Sequence, residues 1–92
     1  MLFFLVGVSK SEGMETVIRT ENGVTMVYKY DYIGKLQSIT PYVQGVIHGI
    51  QFFYDRRGHR MKEVEWVRGE ISATRNYDEF GHIVPSMSFT RQ

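Results

Sequence analysis

Apolar and polar positions alternate along this chain in short runs, and no stretch of helix length repeats every 3.6 residues. A period of two belongs to strands, whose successive side chains point to opposite faces. Val24-Thr-Met-Val-Tyr-Lys-Tyr30, Ile50-Gln-Phe-Phe-Tyr54 and Val64-Glu-Trp66 carry it, and they are rich in the β-branched and aromatic residues that suit a pleated surface. The pattern predicts strands over 2–8, 14–20, 24–31, 35–42, 49–55, 60–67, 71–78 and 82–90. The first falls in the apolar run Met1-Leu-Phe-Phe-Leu-Val-Gly-Val8. That run lacks a basic start and a small-residue cleavage site, and it is far shorter than the ~20 residues of a membrane helix. It reads as a buried first strand in preference to a truncated export signal.

The breaks between strands recur, and recurrence at a fixed interval is the mark of a repeat architecture. Tyr30-Asp31-x-x-Gly34 returns as Tyr54-Asp55-x-x-Gly58 and Tyr77-Asp78-x-x-Gly81, at intervals of 24 and 23 residues. Asp at the first position and Gly at the fourth predict a type I turn: the carboxylate accepts nearby backbone N–H groups and the glycine takes the positive φ that returns the chain. A second series, Gly23, Gly45 and Gly69, lies in Asn22-Gly23, Gln44-Gly45 and Arg68-Gly69, and Asn-Gly is a strong hairpin signal. Eight residues after Gly34, Gly58 and Gly81 stand the aromatics Tyr42, Trp66 and Phe89. Sequential hairpins give an antiparallel meander, each hairpin stabilised by its neighbours. The predicted fold is all-β, a single twisted or partly wrapped sheet. Pro41 and Pro85 are expected toward strand ends, where a missing N–H is tolerated.

At 92 residues the chain is read as one domain, 1–92, which buries roughly 60–65% of its unfolded surface and has little stability to spare. It divides into an N-terminal strand 1–12, a degenerate repeat 13–29, full repeats 30–53 and 54–76, and a half repeat 77–92. Hydrophobic and charged contents of 42% and 23% are ordinary for a globular protein, and the aromatic share of 14% supports the strand reading. A net charge of +1 gives no global pull toward nucleic acid or acidic membranes. Without cysteine there is neither disulfide nor thiolate metal site, which suits a reducing, cytoplasmic setting.

The motif series resembles the MORN-variant repeat of bacterial and phage proteins, a group that includes antitoxin-type members. Tyr30, Gly34, Tyr42, Gly45 and Gly49 fit every position of that repeat, with His48 before the last glycine. Tyr54, Gly58, Trp66 and Gly69 fit the second unit, where Ala73 replaces the last glycine. The first unit keeps Gly13 and Gly23 with Glu21 at the aromatic position, and the last is a half unit from Tyr77 to Phe89. The resemblance implies a hairpin-repeat scaffold for binding and degenerate units that cap its ends. It does not imply one activity. In the wider MORN family it implies contact with proteins and with acidic phospholipids.

Catalytic readings find little to stand on. Turn formation accounts for the three aspartates, and repeat-equivalent carboxylates would lack the unlike environments that acid–base catalysis uses. His59 and His82 share the position after the turn glycine, and with His48 they form neither a His-x-His nor a His-x-x-x-His pair, so no metal site is expected. There is no Gly-x-Ser-x-Gly elbow and no phosphate-cradling glycine loop. The expectation is a non-enzymatic protein without a cofactor; a hydrolase using His59 and His82 with Asp55 or Asp78 is the alternative that these absences disfavour.

Binding has better candidates. Arg56, Arg57, His59, Arg60 and Lys62 form the one basic cluster, on a hairpin tip beside Phe53. Arginine and aromatic residues dominate protein-binding hot spots, and Tyr28, Tyr32, Tyr42, Phe53 and Trp66 join the candidate surface. The expected function is that of a protein-binding inhibitor or antitoxin-type neutraliser, in one version a phage or mobile-element protein that blocks a host defence complex. The second expectation is nucleic-acid or acidic-lipid binding through the 56–62 tip, diluted by Glu63, Glu65 and Glu70. Homodimerisation through exposed end strands is a third possibility for partners.

Overall fold

The computed structural model describes residues 4–11, as backbone path alone, and residues 14–85. Nine strands follow one another without a helix among the described residues: β1 (Phe4–Ser11), β2 (Met14–Glu21), β3 (Val24–Tyr30), β4 (Leu36–Val43), β5 (Val46–Ile47), β6 (Gly49–Tyr54), β7 (Arg60–Val67), β8 (Glu70–Tyr77) and β9 (Ile83–Val84). They form one antiparallel sheet in the order β1-β2-β3-β4-β6-β7-β8-β9, with β5 paired to β4. β1 and β9 do not meet, so the sheet is open, and the meander predicted from the hairpin signals is the observed topology. The end of the predicted strand 82–90, the aromatic Phe89, Gly13 and the close of the half repeat lie outside the described residues, as do the side chains of the first strand, and with them its expected burial.

Two kinds of turn build it. At Asn22-Gly23, Gln44-Gly45 and Arg68-Gly69 both residues have positive φ, at 54/82°, 54/79° and 51/87°. This is the two-residue type I′ turn whose twist matches that of the flanking strands. Asparagine tolerates the left-handed region; glutamine and arginine do so at a cost. At the Tyr-Asp-x-x-Gly sites the N–H of Gly34, Gly58 and Gly81 donates to the carbonyl of Asp31, Asp55 and Asp78 at 2.9, 3.0 and 3.0 Å, as a type I turn requires. Because strands alternate in direction, the three aspartate turns share one rim of the sheet and the two-residue turns share the other.

β5 is the element the alternation did not predict. Pro41 lies inside β4, not at its end, and pairs with Met26 of β3. Its carbonyl accepts the N–H of His48 at 3.1 Å. In an extended strand the N and O of one residue face the same neighbour, so the missing proline N–H faces the junction between β5 and β6. The ladder breaks there at little cost. Gly49 completes the break with φ 118°, and a Cβ on it would stand 3.2 Å from Pro41 Cγ. In the next unit Ala73 occupies the corresponding position; β8 runs unbroken through it, and a local register shift replaces the kink.

The sheet is a single layer. Extents of 49 × 32 × 24 Å and a radius of gyration of 15.1 Å exceed the ~12 Å of a compact chain of this length. Val64, 5% exposed, is the one large apolar side chain among the described residues classed as buried hydrophobic core, and none is below 2%. Register assigns the faces. The row Val17–Tyr28–Ile39–Phe52–Glu63–Arg75 crosses the front face, and the row Ile18–Val27–Thr40 on β2–β4 continues as Gln51–Val64–Thr74 on the back. Met26, Tyr28, Tyr30, Ile39, Ile50, Phe52 and Tyr54 therefore share the front.

Glu63, 8% exposed, sits at the centre of that front face. Its oxygens accept from Arg60 Nη1 and Arg75 Nε, both at 3.0 Å. Burial raises its pKa, and the hydrogen bonds from Arg75 and Tyr77 with the charge of Arg60 outweigh this, leaving it below the ordinary value. Arg60 also stacks over Phe52, its Cζ 4.5 Å from the ring centroid.

Two substitution series test this account by urea unfolding. Gly49→Ala should lower stability by about 2 kcal/mol, whereas Arg68→Asn should raise it by about 0.5 kcal/mol by relieving a left-handed arginine. Glu63→Ala should cost about 1–2 kcal/mol, the arginines being half-exposed and partly rehydrated, and Glu63→Met should cost less.

Candidate functional site: the aspartate-turn rim

The rim is built three times by one device. Asp31 Oδ1 accepts the N–H of Ile33 and Lys35 at 3.0 and 2.8 Å. Asp55 Oδ1 accepts those of Arg57 and His59, both at 2.9 Å, and Asp78 Oδ1 those of Phe80 and His82, both at 2.9 Å. A pair of charge-assisted bonds holds each loop rigid and leaves its two central side chains with nothing to do but face outward. Those pairs are Tyr32-Ile33, Arg56-Arg57 and Glu79-Phe80. Tyr32, Ile33 and Phe80 are 77%, 63% and 75% exposed, the most exposed large apolar residues on the described surface with Ile83.

Grooves separate the tips. One, of about 340 Å³, runs between the first two and is lined by Tyr32, Leu36 and Tyr54 with Lys35 and Arg56 at its mouth. A second lies between the next two, lined by Tyr54, His59, Tyr77 and Phe80. Arg57 reaches across it to Glu79 at 3.6 Å, an exposed pair worth little on its own.

The ten residues singled out from sequence divide among three surfaces. Tyr32, Arg56, Arg57 and His59 stand on the rim. Tyr28 and Arg60 lie on the front face, and Tyr42, Phe53, Lys62 and Trp66 on the back. The run 56–62 is thus not one basic patch. The cause is a bulge: Phe53 pairs with Lys62 but Tyr54 pairs with Arg60, so Met61 is extra and the alternation shifts by one. Arg60 turns to Phe52 and Glu63 while Lys62 turns to Phe53, 5.9 Å from its ring. The rim members missed from sequence were Ile33, Glu79 and Phe80. Their signal was present, since they occupy the two free positions of the same motif.

The histidines belong to the turns. His59 Nδ1 stands 3.7 Å from Asp55 Oδ2 and His82 Nδ1 3.5 Å from Asp78 Oδ2, with Lys35 in the equivalent place of the first unit. His48 Nδ1 accepts the backbone N–H of Arg68 at 3.0 Å, tying one two-residue turn to the strand break beside it. Among the described residues no three His, Asp or Glu side chains gather as metal ligands, and no helix is long and apolar enough to cross a membrane. Compared with protein families, with curated proteins and with solved structures, the chain matches none.

The N–H of His59 first, then that of Arg57 and the nearby positive charges, outweigh some desolvation and hold the Asp55 carboxyl below its usual range; His82 and Phe80 do the same for Asp78. A carboxyl depressed in the folded state contributes stability that is present above its unfolded pKa of about 3.9 and is lost as pH falls through the folded value. The thermal midpoint should therefore hold near neutral pH and drop below about pH 4. In an Asp55→Asn/Asp78→Asn variant, which keeps the acceptor and removes the charge, the drop should be shallower.

Proposed function

We propose that this protein is a non-catalytic binding module that grips a protein partner along the aspartate-turn rim. One observation carries the reading: three turns of identical construction hold Tyr32, Ile33, Arg56 and Phe80 outward in a line. Aromatic and arginine side chains on a rigid base lose little entropy on binding, and they are the residue types that concentrate binding energy. The grooves between tips offer places for a partner's side chains to seat. The kind of partner follows from the resemblance to antitoxin-type MORN-variant proteins: a toxin or a host defence protein, neutralised in the cytoplasm by occupation of its surface. A phage or mobile-element origin fits that role. A second copy joined along an edge strand would leave the rim free for this contact.

Nucleic-acid or acidic-lipid binding through the 56–62 tip draws less support. Arg60 is engaged by Glu63, and Lys62 lies on the opposite face from Arg60, so the run presents no continuous basic patch.

Affinity capture from a host lysate followed by calorimetry on the purified partner tests the reading. Tyr32→Ala and Phe80→Ala should each weaken the complex about 30-fold, a hot-spot effect of about 2 kcal/mol. Gln44→Ala on the opposite rim should change it less than about threefold. A partner equally indifferent to both rims, or no stoichiometric partner, contradicts the proposal.

A further inference from the structure

The two faces of the sheet differ in charge. Every strand glutamate of the described residues lies on the front: Glu15 pairs with Tyr30, Glu21 with Val24, Glu63 with Phe52, Glu65 with Ile50 and Glu70 with Val67. The back carries no acid among the described residues. Its charges are Lys29 and Lys62, in the row Thr16–Lys29–Ser38–Phe53–Lys62–Asn76. Three strand spacings separate the two lysines, about 14 Å.

The same face carries half-buried, partly accessible aromatic side chains beside a polar floor. Tyr42 and Trp66, repeat-equivalent residues, stand toward one side of it, and Phe53 stands between the lysines on the other. Trp66 faces Gly49 across the ladder on its β6 side, where no side chain covers it, and Ile71 on its β8 side. Its Nε1 donates to Gln51 Oε1 at 2.8 Å, and Gln51 Nε2 donates to Thr40 Oγ1 at 2.9 Å. The indole is thereby fixed at its edge and stays partly accessible. Ser38, Thr40 and Val64 are recessed between these larger residues.

We infer that this back face binds single-stranded nucleic acid, with bases stacked on Trp66, Tyr42 and Phe53 and phosphates held by Lys29 and Lys62. The pieces match the ligand one by one. Bases stack on aromatic side chains of a sheet surface whatever their sequence. An acid-free face with two separated ammonium groups complements a phosphate chain. Thr16, Thr74 and Asn76, none of them buried, offer donors and acceptors to sugars and base edges. An acidic polypeptide would satisfy the lysines but leave the aromatic platforms without a flat partner. The site is separate from the rim, so it stands or falls independently of the protein contact proposed there.

Trp66 is the only tryptophan, which makes the test direct. Its fluorescence is followed while the full chain is titrated with oligo-dT and oligo-rU of about 15 nucleotides, and with polyglutamate as the acidic-polypeptide control. The oligonucleotides should quench Trp66. Two phosphate contacts predict a log–log salt slope near −1.4, hence about sevenfold weaker binding at 200 mM than at 50 mM salt. Lys29→Gln and Lys62→Gln, both at solvent-accessible positions, should each flatten the slope by about 0.7 with the β-sheet circular dichroism unchanged. Arg56→Gln/Arg57→Gln should leave binding within about twofold. Absence of oligonucleotide binding, quenching by polyglutamate instead, or loss in the Arg56/Arg57 variant alone overturns the inference.

Discussion

A carboxylate oxygen that accepts two backbone N–H bonds sets the conformation of every aspartate turn, and through the turns it sets the sheet. In a strand pair whose side chains alternate, a slip of one residue would carry each of them to the other face. The paired bonds at Asp31, Asp55 and Asp78 close each loop on one register. The positions of Phe52 and Glu63 on one face and of Phe53 and Lys62 on the other are consequences of that closure. So is the outward aim of the tip residues, the second of which in each turn (Ile33, Arg57 and Phe80) gives its backbone N–H to the carboxylate.

The turn also explains how a one-layer sheet keeps two different surfaces. Among the described residues Val64 and Pro41 are the buried apolar ones, and this part of the sheet has no deep core to enforce orientation. Local devices take over. Turn geometry fixes register, Glu63 gathers Arg60 of its own strand and Arg75 of β8, and the Thr40–Gln51–Trp66 chain crosses the back. Cross-strand pairs of this kind are each modest, and their sum over a meander makes neighbouring hairpins stabilise one another. What results is a thin plate with a rim of projecting tips, a front where acids and arginines pair, and a back whose charges, among the described residues, are lysines.

Much of this was legible in the sequence. The two glycine series located the turns and the alternation located the strands, because both are local signals. The pairing of His59 and His82 with their turn aspartates was implicit in repeat position. Two features were not legible. The break between β5 and β6 depends on Pro41 and Gly49 meeting across the ladder, a contact between residues eight apart that neither announces alone. The bulge opposite Tyr54 was equally silent, and it mattered more. Counted by alternation, Arg60 and Lys62 share a face, and a basic patch appears where the structure has none. The rim residues Ile33, Glu79 and Phe80 are inconspicuous for a different reason: they carry no shared charge or residue type, and the surface is the sum of equivalent positions in three turns.

The two faces and the rim depend on register, and register is measurable without any partner. Cross-strand contacts in the nuclear Overhauser spectrum of the isotope-labelled protein test it most directly. The account predicts contacts from Phe53 to both Ser38 and Lys62, from Phe52 to both Ile39 and Glu63, and from Tyr54 to Arg60. A spectrum that pairs Phe52 with Lys62, or Tyr54 with Met61, would place these side chains on the wrong faces and contradict it.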